Sequence, residues 1–267
     1  MTILQAAVLG LVQGITEFLP ISSTAHLRLV PALLGWPDGG AAFAAVIQLG
    51  TLLAVIGFFL RDLLRMIAAA AKPATRTTID ARMLLYIVAG TVPIGVVGLL
   101  ARHAIEGPLR SILVIASSML VVGIVMGIVE KTARHERPFE SFTLRDALIV
   151  GMAQSLALVP GTSRSGITLI AAMILGFRRD ASARFSFLLS IPAVAAAGVF
   201  ELPKLLHDRE VGATALATGL LVAAVSGYLS VAWLLRFLRT RTTYGFVVYR
   251  VILGLALIAA VLGGMSG

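Results

Sequence analysis

Glu17 and Arg164 are charged residues that each interrupt an otherwise apolar stretch. Ionisable side chains in such stretches are costly and mark function by default. Gln13 lies four residues before Glu17, on the same face of a helix. Pro20-Ile21-Ser22-Ser23-Thr24 follows, with His26 close behind. Arg164 stands within Pro160-Gly161-Thr162-Ser163-Arg164-Ser165-Gly166. Together these residue types suit phosphate chemistry. A guanidinium clamps phosphate oxygens in pairs. Helices that start after the Ser22–Thr24 and Ser163–Gly166 turns aim N-terminal N–H groups at an anion. Gly161 and Gly166 permit close backbone approach. A serine or His26 supplies a nucleophile once a neighbouring base activates it. Glu17 supplies that base, or holds a divalent cation together with phosphate oxygens.

Simpler roles compete for the same residues. Glu17 and Arg164 could form only a buried ion pair, although two polar segments around them exceed what a pair needs. The Ser/Thr clusters can cap helices whether or not they react. A lone His26 is more often a satisfied core side chain than a catalyst. Arg28 fits a snorkelling side chain, and His103, His135 and His207 read as loop residues. Tyr249-Arg250, at the start of the last apolar run, either snorkels or pairs inside the protein. Gln48, Ser186 and Ser190 either line a cavity or hold helices together.

The scaffold that must unite these segments is a membrane protein. Of 267 residues 58% are hydrophobic and 13% charged, with mean hydropathy +0.98, against roughly 25% charged in a soluble domain. The absence of cysteine excludes disulfides and thiolate metal sites. The four histidines show no metal-ligand spacing. A net charge of +9 is read as basic loops on one side of a bilayer and not as a nucleic-acid surface. The first apolar run has neither the basic flank nor the cleavage site of a secretory signal.

Apolar runs near 42–60, 82–101, 110–130, 185–202, 211–236 and 244–264 each suffice to span a bilayer. Four others, 3–19 with 25–35 and 146–159 with 166–177, form two pairs broken by the polar segments. Broken backbone at membrane depth is tolerated only inside protein or beside a wet cavity, so each pair reads as a re-entrant hairpin. The pairs resemble one another. Gly10-Leu11-Val12-Gln13 matches Gly151-Met152-Ala153-Gln154, Pro20 matches Pro160, Ser22-Ser23 matches Thr162-Ser163, and Phe43 to Gly50 matches Phe185 to Pro192. The expected fold is an all-α polytopic membrane protein, an inverted repeat of six spanning helices plus two re-entrant helix hairpins. It forms a single membrane domain with halves 1–135 and 140–267.

Three spans per half inverts one half relative to the other. The loops around 61–82, 131–146, 178–184 and 236–241 hold fifteen basic residues. The opposite side holds Arg102, Arg110, Lys204 and Arg209, offset by Asp38, Glu106, Asp208 and Glu210. That bias puts the basic loops in the cytoplasm and both termini outside. The hairpins then enter from opposite sides and their tips meet near the middle, as in inverted-repeat transporters.

The stretch Gln13-Gly14-Ile15-Thr16-Glu17-Phe18-Leu19-Pro20-Ile21-Ser22-Ser23-Thr24-Ala25-His26 resembles the first signature of the bacterial undecaprenyl pyrophosphate phosphatase family, associated with bacitracin resistance. Pro160-Gly161-Thr162-Ser163-Arg164-Ser165-Gly166-Ile167-Thr168 is similar to the second, and Tyr249-Arg250 extends the likeness. The resemblance implies hydrolysis of the C55 pyrophosphate lipid to its monophosphate and inorganic phosphate, recycling the carrier for peptidoglycan. The reaction is expected on the outer face of the bacterial cytoplasmic membrane, with Mg²⁺ or Ca²⁺. It implies Glu17 as the essential acid, Ser23 and His26 as nucleophile or base, and Arg164 on phosphate. Ser22, Thr24, Gly161, Thr162, Ser163, Ser165 and Gly166 are the expected supporting contacts. Gln13 stands where the family pattern also accepts Glu, and is a weak metal ligand beside Glu17. Ala44 stands where some relatives have Glu. A homodimer is compatible with the sequence, and transport of the prenyl phosphate is the competing function class.

Overall fold

The computed structural model describes residues 1–37, 39–101, 109, 111–208 and 211–263, without the side chains of 41, 42 and 204–208. The expectations for Asp38, Arg102, His103, Glu106, Arg110, Arg209 and Glu210, and for the side chains of Lys204, His207 and Asp208, lie outside the described residues. Among those described, the chain forms eleven α-helices and no strand. They are α1 (Ile3–Phe18), α2 (Ser23–Leu34), α3 (Gly40–Phe58), α4 (Leu60–Ala71), α5 (Ile79–Leu100), α6 (Ile112–Thr132), α7 (Leu144–Gln154), α8 (Arg164–Ile174), α9 (Arg179–Asp208), α10 (Ala213–Leu238) and α11 (Tyr244–Leu262).

Five helices, α5, α6, α9, α10 and α11, are long and apolar enough to cross a membrane. A sixth crossing arises if α3 and α4 count as one span, but these two are bent by 72° at Phe59. This corrects the expected loop over 61–82, most of which is helix. The residues of α4 are strong helix formers, and Asp62 sits favourably in its first turn. The expected loop at 178–184 likewise begins α9 at Arg179.

Helices from the two ends of the chain interleave. α1 packs along α10 and α7 along α5; α3 also lies on α10, and α9 on α5; α3 meets α9, and α6 meets α11. The α1–α10 and α7–α5 crossings are of one kind. A Cβ on Gly10 would come within 2.4 Å of the Gly219 carbonyl oxygen, and one on Gly151 within 2.0 Å of the Gly90 oxygen. Small residues let helices approach backbone to backbone, which in a bilayer replaces the hydrophobic drive to pack. The main core runs through both crossings, with Phe18 edge-on to Phe187 at 5.2 Å.

The turns rich in arginine are locked by ion pairs. Arg137 donates to Asp146 at 2.6 and 3.1 Å and to the carbonyls of Ser141 and Leu175, and lies 4.0 Å over the Phe177 ring. Glu130 at the end of α6 accepts from Arg179 on α9 and from the Thr243 hydroxyl and N–H that begin α11. Arg184 on α9 reaches Asp62 on α4 at 2.8 Å. Each latch joins elements distant in sequence at one end of the structure.

Gly10→Ala and Gly151→Ala should each cost about 1–3 kcal/mol through overpacking. A thermal melt of the purified protein should show both with lowered Tm. Gly57→Ala, where a Cβ meets open space, should melt no lower than the parent.

Candidate active site

Both polar segments end a helix and begin another by the same local device. α1 stops at Phe18 before Pro20, whose ring cannot continue the ladder. α7 passes through a short 3₁₀ turn, Ser155–Leu158, before Pro160. Ser22 then caps α2, and Ser163 caps α8, accepting from the N–H of Ala25 and of Gly166. These serines hold φ of 74° and 70°, a conformation L residues adopt at a cost. Each cap hydroxyl lies 3.1 Å from a second hydroxyl two residues on, Thr24 or Ser165.

This geometry shifts the internal correspondence read from the sequence by one residue in the polar segments. Ser22 matches Ser163, so Ser23 and Arg164 are equivalent, each the first residue of its helix. The reason is capping: the serine that turns the chain is fixed by its bond two to three residues ahead, not by its distance from the proline. Thr24, Ser165 and Gly166 therefore lie in first helical turns. Arg164 does so as well, and its side chain leaves from the end of a helix.

The two segments touch. The Arg164 guanidinium pairs with Glu17 Oε1. The Ser23 hydroxyl donates to Glu17 Oε2 at 2.5 Å, and Gln13 Nε2 donates to the same oxygen at 2.9 Å. Ser165 donates to the Leu19 carbonyl at 3.0 Å, and the Gly161 N–H to the Thr24 hydroxyl at 3.4 Å. One carboxylate is thus shared by a hydroxyl from its own side and a cation from the other. Such an oxygen is placed to take the hydroxyl's proton, and the guanidinium to hold an anion's oxygens.

His26 is held apart from that cluster. Its Nδ1 lies 2.7 Å from the Ser22 carbonyl, which only accepts, so Nδ1 carries the proton. In the neutral ring Nε2 is then the acceptor, and the Tyr249 hydroxyl donates to it at 2.5 Å. The rings stack at an interplanar angle of 11°. In the sequence Tyr249 stands out only as a neighbour of Arg250. Its helix position and aromatic type were legible, but nothing local pairs it with a residue 223 positions earlier.

Arg250 resolves the alternative left open for it. It is fully buried and does not snorkel. Its guanidinium donates to five carbonyls: Pro20 at 3.1 Å in the first segment, Gly161 at 2.9 Å and Thr162 at 3.1 Å in the second, and Ser118 and Met119 on α6. Gly161 serves this contact. With φ of 92°, a Cβ there would stand 2.3 Å from the Ile115 carbonyl oxygen. Its need for glycine thus comes from α6 and not from a ligand. Thr162 likewise presents its carbonyl to Arg250. On α8, Thr168 donates back to the Arg164 carbonyl at 2.8 Å and lies 2.6 Å from Ser186 on α9, so Ser186 holds helices together.

Electrostatically the centre favours anions. Arg164 and Arg250 against Glu17 leave one excess positive charge, and the N-terminal ends of α2 and α8 add to it.

Over residues 6–256 the chain matches the family described as bacitracin resistance protein BacA. It is 50% identical to an undecaprenyl-diphosphatase of Myxococcus xanthus, covering 100% of this chain and 93% of that protein. It is 46% identical to one of Nocardioides sp., covering 98% and 97%, and 48% identical to one of Synechococcus elongatus, covering 97% and 93%.

Arg250→Gln leaves carbonyls of both polar segments buried without a donor, at about 1–3 kcal/mol for each unsatisfied group. Hydrogen–deuterium exchange should rise over residues 21–25 and 161–166. Exchange around the Arg137–Asp146 latch should stay as in the parent.

Proposed function

The chain belongs to the bacitracin resistance protein BacA family, and on that premise we propose that its two joined polar segments form the reaction centre of an undecaprenyl-diphosphatase. The enzyme hydrolyses undecaprenyl pyrophosphate to undecaprenyl phosphate and inorganic phosphate. The observation that carries the site assignment is the Glu17 carboxylate, bonded at once to the Ser23 hydroxyl and the Arg164 guanidinium.

The pyrophosphate sits against Arg164 and the N-terminal ends of α2 and α8, where charge developing on its oxygens meets fixed positive groups. Ser23 Oγ attacks the terminal phosphorus and passes its proton to Glu17. The bond from phosphorus to the bridging oxygen breaks, and prenyl phosphate leaves. Water then cleaves the phosphoserine to inorganic phosphate, and Glu17 returns its proton to the departing Ser23 Oγ. The proton of that water goes to the Tyr249 oxygen as Tyr249 passes its own to His26 Nε2, the acceptor nitrogen. Tyr249 thus relays the proton to His26, and Arg250 fixes both segments beneath the reacting groups.

A divalent cation fits this donor set in part. Among the described residues no three His, Cys, Asp or Glu side chains cluster to hold a metal. Gln13, however, turns its Nε2 to Glu17 and leaves Oε1 buried without a partner. Glu17 and Gln13 would hold the cation, and phosphate oxygens of the substrate would complete its shell. Bound there, Mg²⁺ or Ca²⁺ would neutralise phosphate charge.

The halves 1–135 and 140–267 act as an inverted repeat, each with a re-entrant hairpin, α1–α2 and α7–α8. Support comes from the matched serine caps, the matched glycine crossings and the exchange of partners between α1–α10 and α7–α5. The latched, arginine-rich end faces the cytoplasm by the positive-inside bias. The reaction centre opens to the outer side of the bacterial cytoplasmic membrane, and both termini lie on that side.

Glu17→Gln, Ser23→Ala and Arg164→Ala should each lower kcat for phosphate release from the lipid roughly 100- to 1,000-fold while melting within a few degrees of the parent. Unchanged turnover in Arg164→Ala would remove the site assignment. Tyr249→Phe should lower kcat by up to roughly 100-fold with KM unchanged. EDTA should suppress phosphate release, and Gln13→Glu should reduce the cation concentration that restores it; indifference to both would count against a metal at Glu17.

A further inference from the structure

Helix α4 has three faces. Met66 is buried and Leu63 packs against the core, while Asp62 pairs with Arg184 on α9. Leu60, Leu64 and Ile67, spaced i, i+4, i+7, form a second stripe that is 48, 57 and 53% exposed. Arg61, Arg65 and Lys72, spaced i, i+4, i+11, form a third, exposed and alongside the second. Arg65 bonds Asp62 within the helix. Arg61 and Lys72 have no ion-pair partner among the described residues.

The bend of 72° at Phe59 turns α4 away from the direction in which α3 crosses the bilayer. A helix so turned at the end of a crossing lies near the membrane plane. There an apolar stripe enters the acyl boundary while adjacent basic side chains reach the phosphates. No counterpart to this bend interrupts α9, which runs unbroken from Arg179 to Asp208.

We propose that α4 is an interfacial helix that binds the phosphate groups of anionic phospholipids through Arg61, Arg65 and Lys72, with Leu60, Leu64 and Ile67 in the acyl layer. The occupant is a lipid because the cationic ribbon borders an exposed apolar stripe of helical spacing, a combination that fits a charged amphiphile and no soluble anion. Its attraction adds per basic residue near the surface. The proposal depends on α4 lying at the membrane surface and is independent of the reaction assigned to Glu17, Ser23 and Arg164.

The test uses full-length protein exchanged into equal amounts of phosphatidylglycerol and phosphatidylcholine, with retained lipids counted by native mass spectrometry. The parent should retain phosphatidylglycerol preferentially. Arg61→Gln/Lys72→Gln, which spares the Asp62 pairs, should lower that preference roughly five-fold or more, with phosphatase turnover and Tm near the parent's. Arg239→Gln/Arg241→Gln, an equal charge loss in another basic turn, should keep most of it. The proposal is overturned if the parent shows no preference, if the α4 variant keeps the parent's ratio, or if both variants lose it equally.

Discussion

Apolar neighbours cannot hydrogen-bond the backbone carbonyls that a helix exposes when it breaks in the interior of a protein. This chain breaks two helices, at Pro20 and near Pro160, and answers with one guanidinium. Arg250 donates to Pro20 on one side and to Gly161 and Thr162 on the other, while α6 takes its remaining donors. Burying a guanidinium without hydrogen bonds would be prohibitive; with five acceptors the cation and the carbonyls satisfy one another. Everything at the centre depends on this, because the bonds that end the helices also set the two segments at bonding distance.

The exchange has an electrostatic consequence. Carbonyls satisfy Arg250's donors without cancelling its charge, and Glu17 is the carboxylate that meets Arg164. The centre retains net positive charge, reinforced by two helix N-termini capped by Ser22 and Ser163. A structural ion pair would need neither the second cation nor the Ser23 bond to the same carboxylate. The strained φ of both serines belongs to the same design: each cap turns the chain sharply enough for an otherwise apolar helix to start at the centre. Strain of this kind persists where the surroundings over-determine it.

The arginine-rich end and the middle of the structure are built differently. At the arginine-rich end, Arg179–Glu130 and Arg184–Asp62 tie distant helices with charged hydrogen bonds, and Arg137–Asp146 ties the connecting loop to the start of α7. Such pairs, half-shielded from water, are worth more than exposed ones. Phe142 stacked on Phe177 and Phe185 packs beneath them. The middle relies instead on glycine crossings, where backbone contact leaves little room for rearrangement.

From the residue order alone the membrane class, the helical elements and the two polar segments were legible, because apolar run length and helix-breaking prolines are local properties. So were the positions of Glu17 and Arg164, since a charge in an apolar run stands out wherever its partner lies. Three things needed the tertiary structure. The bend at Phe59 that makes α4 a separate helix has no proline to mark it, only Gly57 two residues earlier, and the Arg184–Asp62 pair that holds α4 after the bend joins residues 122 positions apart. Which nitrogen of His26 carries its proton depends on a carbonyl one turn before it and on Tyr249, nine helices along the chain. The role of Arg250 could not be read locally, since an arginine at the start of an apolar helix looks the same whether it reaches for lipid phosphates or turns inward. Only the meeting of two broken helices supplies the carbonyls that make the inward choice the stable one.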